Sequence, residues 1–427
     1  MAVFAGVMCL GAAAVLAQRR DVFVASRDHP AIAYTKAPVS DPIYQLSRRI
    51  QSGAVRLERD GPNGYLKSLL AALQIPIESQ SLVFSQTSAE GKLITPRNPR
   101  AVFFADTVAV GNVHGSDAIE LAAQDPAQGV IFYTLSQAPA EKPQLTRDNT
   151  CLGCHLSWDT LGVPGFFVLS TFPMSDDKNA YASGFTADHR STLVDRWGGW
   201  YVTGKPGPLR HMGNVPVVVH GQPDLQVRTP VLASLEGKFD TKTYLTPYSD
   251  VVALMVLEHQ THMTNLLTRV GWEARLAAYD RSNAADATPR QRDDAAARVR
   301  EAASDLVDYM LFVDEAPFAG AIRGSSGFAE KFSAQGPRDG KGRSLKQLDL
   351  DRRLMRYPCS YMIYTPAFDA LPADARGAVY QRMWQILSGQ ETGKKYAVLP
   401  RADRQAIVEI LKETKKDLPA YFQIVAK

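Results

Sequence analysis

Apolar residues recur at two different periods along this chain, and the change of period divides it. After Asp41-Pro42, Ile43, Leu46 and Ile50 fall three and four apart, which predicts a helix with a proline in its first turn. A second helix is expected from Tyr65 to Leu73. Between residues 80 and 135 the pattern changes to short β-prone runs: Ser81–Phe84, Ala101–Phe104, Val108–Gly111, Ile119–Ala122 and Val130–Tyr133. Pro, Gly, Asn and Asp separate them at the spacing of an antiparallel sheet. Residues 146–230 are rich in Gly, Pro and aromatic side chains and carry little helical periodicity, as in a segment that wraps around something. Helical spacing returns over 246–312, in Val251–Leu267 above all. A Gly- and Ser-rich loop follows over 318–345, then helices from Ala373 to Leu387 and from Arg401 to Lys416. The class expected is α+β: β-rich in the N-terminal part, loop-rich in the centre, helical in the C-terminal half.

Composition adds little. The 427 residues are 45% hydrophobic and 22% charged with a formal charge of +4, ordinary for a globular chain. No Lys/Arg run or aromatic-basic stripe occurs, so no nucleic-acid partner is expected. The first 17 residues are small and apolar and end in Val15-Leu16-Ala17, before Arg19-Arg20. Residues 1–20 are therefore expected to be a signal peptide or an N-terminal anchor, with the protein exported, periplasmic or otherwise. That anchor would be the chain's one tie to a membrane. No Lys or Arg precedes the apolar run, which departs from the usual signal pattern. The cysteines are Cys9, Cys151, Cys154 and Cys359; removal of the leader leaves an odd number, which argues against a disulfide framework, and Cys359 is expected to be a buried thiol.

Cys151-Leu-Gly-Cys154-His155 carries the chemistry. C-x-x-C-H is the attachment pattern of c-type haem: two thiols add across the two vinyl groups, and the next residue presents its imidazole to the iron. Half of a zinc site would need a second cysteine pair, which the sequence lacks. A thioredoxin-like motif would need a strand leading into a helix, and Pro143–Asn149 is not an obvious strand. One covalent haem c is therefore expected on Cys151, Cys154 and His155. The chain then divides into residues 1–20, a helical and then β-rich region at 21–145, a haem-binding region at 146–245, and a mainly helical region at 246–427.

The sixth iron ligand is open among His29, His114, His189, His211, His220, His259 and His262, and Met174, Met212, Met255 and Met263. His211 ranks first, then His189, then Met212, because Thr186–Thr203 and Arg210–Asn214 are dense in polar and aromatic groups. Each of these histidines has a structural role as its alternative. Trp197, Trp200 and Tyr201 are candidates to stack on the porphyrin or simply to fill a core. Arg190, Arg196 and Arg210 suit the haem carboxylates, or ordinary loop anchoring. Glu258-His259-x-x-His262 shares one helix side and reads either as a metal or haem site or as a polar helix interface.

Several stretches together resemble large exported bacterial proteins that contain a cytochrome c domain with a single C-x-x-C-H. They are Ser81–Ser85, Pro99–Phe104, Cys151–His155, Asp188–Arg190, Arg196–Gly204, Arg210–Asn214, Leu257–Thr261 and Pro358–Tyr361. The resemblance implies haem binding and electron transfer with a redox partner protein, and supplies no substrate. The chain departs from small class I cytochromes in the long segments on both sides of the motif. It also lacks the second C-x-x-C-H of a dihaem peroxidase. An electron-transfer protein is the leading expectation. The alternative is a haem enzyme, peroxidase- or oxygenase-like, with an open or displaceable sixth site and distal groups from His189, Arg190, His211 and Tyr201.

Overall fold

Asp41 starts the helix at Pro42–Gln51 by capping it. Its Oδ1 accepts the N–H groups of Ile43 and Tyr44, and Oδ2 accepts the Tyr133 hydroxyl at 2.6 Å. Pro42 opens the helix, where a missing N–H costs nothing. The computed structural model describes residues 26–171, 184–208, 210–215, 230–283 and 289–422, the last range by backbone alone over 289–292. Helices α1 (Pro42–Gln51) and α2 (Leu66–Ala72) follow the expected pattern. Residues 26–41, expected to be largely helical, are mostly turns around the buried Ile32 and Tyr34.

All five β-prone runs become strands of one antiparallel meander: β1 (Ser81–Val83), β2 (Arg100–Ala105), β3 (Val108–Asn112), β4 (Ala118–Asp125) and β5 (Gly129–Ser136). A sixth, β6 (Leu145–Arg147), closes the edge beside β5. Its three residues carry no period from which a strand can be read. The register assigns the two faces. Leu82, Phe103, Val110, Ile119, Ile131 and Leu135 point to one side and pack with Ile43, Leu46, Leu69 and Leu70 of α1 and α2. Val83 and Phe104 point to the other side and join the core built by the C-terminal helices.

That second core is organised by α4 (Val251–Asn283), which follows the short motif turn α3 (Leu152–His155) along the chain. Residues Val251 to Thr261 of α4 are all buried, so this stretch is enclosed on every side. Its Gln260 donates to the Ala105 carbonyl at the end of β2, which fixes the helix against the sheet. Around it pack α5 (Pro289–Met310), α6 (Phe328–Ala334), α7 (Pro366–Asp369), α8 (Ala373–Leu387) and α9 (Arg401–Thr414). The architecture is α+β, with the sheet in the N-terminal half and the helices in the C-terminal half. Among the described residues no helix is long and apolar enough to cross a membrane.

The centre is loop-rich, as its composition implies. It holds short 3₁₀ turns and a two-stranded ribbon, β7 (Val168–Thr171) and β8 (Gly184–Ala187). Arg196–Thr203 runs beside β1: Phe84 and Ser85 donate to the Gly199 carbonyl, and Tyr201 donates to Leu82. Gly199 is needed there. Its φ is +84°, and a Cβ would lie 2.8 Å from the Ser85 Cβ.

Candidate functional site

The motif leaves the sheet at the end of β6. Asp148 donates its N–H to Phe132 on β5, then accepts from Thr150 N–H and so caps the 3₁₀ turn that leads into α3. Within the motif Leu152 is buried in the core on the α1 side. Burying the second residue of the turn leaves Cys151 partly exposed, and Gly153 and Cys154 exposed. Both thiols are free, as is the buried Cys359. Desolvation, with Asp148 and Glu120 nearby, pushes the Cys151 thiol up to about 11.

His155 is held at two points by one residue. Its carbonyl accepts from Gly165 N–H at 3.0 Å, and its Nδ1 lies 2.9 Å from the Gly165 carbonyl oxygen. A carbonyl only accepts, so Nδ1 carries the proton and Nε2 keeps its lone pair. Burial lowers the imidazole's proton affinity and keeps the ring neutral. Phe132 and Phe167 flank the ring at 4.8 and 5.1 Å between centroids.

Helix α4 holds this loop from behind. The Asn265 side chain accepts from Phe166 N–H at 2.9 Å and donates to the Phe166 carbonyl at 2.6 Å. Gly165 has to be glycine for that clamp: a Cβ would fall 2.1 Å from Asn265 Oδ1. Gly165, Asn265, Phe132 and Phe167 escaped the sequence reading. They acquire a role only when residues far apart in the chain converge.

Beside Phe132 the sheet offers a ledge. Phe132 is paired with Ala122 and Thr134 with Glu120; Gly111 pairs with Glu120, and Val102 with Gly111. These residues share one face, and Val102, Glu120 and Thr134 are only partly buried. On the opposite face Phe103, Val110, Ile119 and Leu135 are wholly buried.

Several other residues nominated from sequence form a separate polar cluster, most of it buried. His189 Nδ1 and His259 Nδ1 are 2.8 Å apart, and His259 Nε2 lies 2.8 Å from Ser360 Oγ. His189 stacks on Tyr309 at 3.9 Å and on Phe312 at 4.6 Å; its buried Nε2 has no hydrogen-bond partner among the described residues. Arg196, 1% exposed, donates to Glu258 Oε2 at 3.0 Å and to the carbonyls of His189 and Ser191. Arg190 is paired with Asp188, lies over Tyr309, and donates to His262 Nε2 at 3.2 Å. Burial pushes Glu258 up to about 7, and lowers His259 to about 3 and His262 to about 4. His189 is driven well down by the same cause, with the neighbouring His259 adding to it. His262 and Asn265 are one turn apart on α4, so this cluster and the clamp on the motif loop share a helix side.

Trp197 is fully buried, with φ at +68°, and sits edge-on to His211 at 5.1 Å. His211 Nδ1 accepts from Gly213 N–H, so its proton is on Nε2, the reverse of His155. The Met212 sulfur is 4.0 Å from Ser170 Oγ, and its methyl group packs by Gly198. Arg210 is exposed. Cys151, Cys154 and His155 are thus brought together, and His189, Arg190, Glu258, His259 and His262 form a second group. His220 and Met174 lie outside the described residues, as does the expected leader. Among the described residues no group of three or more His, Cys, Asp or Glu is placed to hold a metal ion. Comparison of the chain with protein-family models, with curated proteins and with solved structures finds no match.

Proposed function

We propose that the chain is an exported c-type haem protein that transfers electrons to or from a partner protein, with one haem bonded to Cys151 and Cys154 and ligated by His155. The observation that carries the reading is the His155 tautomer. Beside two free thiols on one helical turn, the imidazole is neutral, and its Nδ1 proton is given to a carbonyl that accepts nothing else from the ring. That is the state in which a histidine ligates iron through Nε2, oriented by the group behind it. The fit extends to the surroundings. Phe132 and Phe167 offer apolar contact, and the ledge at Val102, Glu120 and Thr134 is only partly buried beside them. Haem supplies a one-electron couple when bound. The chain's own residues orient the ligand: Gly165 aims the ring, Asn265 fixes Gly165, and Leu152 pins the turn.

A denaturing gel stained for haem tests the reading. Purified protein from a host that matures cytochromes should give a stained band, and Cys154→Ala should lose most of that stain. A colourless wild-type band would end the proposal.

One observation favours a second reading, a haem enzyme. Glu258, pushed up to about 7, lies with His259 and His262 on the helix that also clamps the motif loop, and His189 meets His259 from the neighbouring loop. A carboxyl that titrates near neutrality is suited to proton transfer. Carbon monoxide separates the two: a reduced spectrum that shifts under the gas favours the enzyme, and an unresponsive low-spin spectrum favours electron transfer.

A further inference from the structure

Resting on the haem reading, we propose that Arg100 is the cation that receives a haem carboxylate and raises the reduction potential, with Glu120 and Gly111 as its positioning residues. Haem brings two acidic side chains, and a partly dry site needs a fixed cation for them. Two of the three guanidinium groups first nominated for this are committed elsewhere. Arg196 is spent on Glu258 and two backbone carbonyls, and Arg190 on Asp188.

Arg100 stands at the start of β2, on the face that carries the ledge. Its side chain crosses β3 above Gly111 and meets Glu120 on β4 at 2.5 Å. A Cβ at position 111 would lie 2.2 Å from the Arg100 Nη2 and 2.6 Å from Cζ, so any larger residue there would dislodge the guanidinium. Glu120 is the diagonal neighbour of Phe132 across the β4–β5 pairing, because Ala122 faces Phe132. Diagonal neighbours on one sheet face are about 7–8 Å apart, within reach of long side chains. The Phe132 ring in turn touches the His155 ring at 4.8 Å. The field of the pair therefore reaches the motif.

Two details point beyond a simple cross-strand ion pair. Among the described residues the buried Arg100 Nε has no hydrogen-bond partner, which leaves a donor to be satisfied. The two side chains are otherwise 24% and 22% exposed, where a pair adds little to stability. A cation at this position favours the extra electron of the reduced state, and an anion disfavours it. Arg100 and Glu120 should therefore move the potential in opposite directions.

The experiment compares haem-loaded wild type with Arg100→Gln, Arg100→Lys and Glu120→Gln, by haem stain and by potentiometric titration of the reduced visible band. All four should stain alike, since the thioether bonds do not involve residues 100 and 120. The potential should fall in Arg100→Gln, rise in Glu120→Gln and stay close to wild type in Arg100→Lys. A stained, folded Arg100→Gln with the wild-type potential overturns the inference and leaves the haem reading intact. The same holds if the Gln substitutions at 100 and 120 shift it in one direction. An unstained wild type overturns both. If Arg100→Gln fails to fold, Glu120→Gln and Arg100→Lys decide: a rise in the first with no change in the second supports the assignment, and no rise in the first refutes it.

Discussion

At the scale of single residues, the motif needs more than its five letters. Cys151, Cys154 and His155 are legible because thioether chemistry and iron ligation demand that spacing whatever the fold. The group that aims the imidazole was not legible. Gly165 is one of many glycines, and what makes it special is Asn265, a hundred residues on, reaching back to Phe166. Gly165→Ala drives a methyl group into the Asn265 amide. The amide must then release two backbone groups of Phe166. Each unmade buried hydrogen bond costs on the order of 1–3 kcal/mol, so the melting temperature should fall by several degrees. Asn265→Ala should cost about as much, and the double variant little more than either, because both break one clamp. Thermal melts of the four proteins test this. Additive losses would show that Gly165 and Asn265 act separately.

Helix α4 is the element on which the site and the buried polar cluster meet. Its existence was legible from the apolar spacing of Val251–Leu267, and so was the shared side of Glu258 and His262. The partners of that side were not, since they come from the loop at Asp188–Trp197 and from Ser360. A helix enclosed on all sides over Val251–Thr261 leaves such groups little solvent, and their enclosure sets an acid limit on stability. His259 and His262 are neutral in the folded chain, with values near 3 and 4, against about 6.5 when unfolded. A lowered value means that the unfolded state takes up protons first. Stability is complete above pH 6.5 and is lost as pH falls toward the folded values. Glu258 and Glu315, raised to about 7, run the other way: their contribution is full below about 4.5 and is lost as pH rises through 7. Each unit of displacement is worth about 1.4 kcal/mol. Three rings, with His189, outweigh two carboxyls. Chemical denaturation followed by tryptophan fluorescence should therefore show clearly lower stability at pH 5 than at pH 7. A flat profile over that range would mean that the rings are charged or solvated in the folded state.

Across the whole molecule, the antiparallel sheet is shared property. The meander was legible because each short strand is bounded by turn residues, and the α+β class followed from it. The way the two layers use the sheet was not. Both faces are buried over much of their area, so the strands read as apolar runs and not as a clean alternation. Phe103 and Phe104 show the consequence. They are neighbours on β2, nearly or fully buried, and belong to different cores: Phe103 to the N-terminal helices, Phe104 to α4 and its partners. The N-terminal core also contains Tyr201, Leu235 and Trp272, supplied from beyond the motif. Neither layer can then lose its side of the sheet without exposing the other. Phe103→Ala and Phe104→Ala should each cost about 3–5 kcal/mol, and both should shift one and the same unfolding transition. Circular dichroism reports the helices of the C-terminal half most strongly, and haem absorbance, once loaded, reports the sheet edge. Coincidence of the two probes in both variants is the expected outcome. If Phe103→Ala moved the haem signal while the helical signal stayed in place, the sheet would have to come away from α4 on its own. The hydrogen bond from Gln260 to Ala105 and the packing of Phe104 would then be too weak to couple the halves.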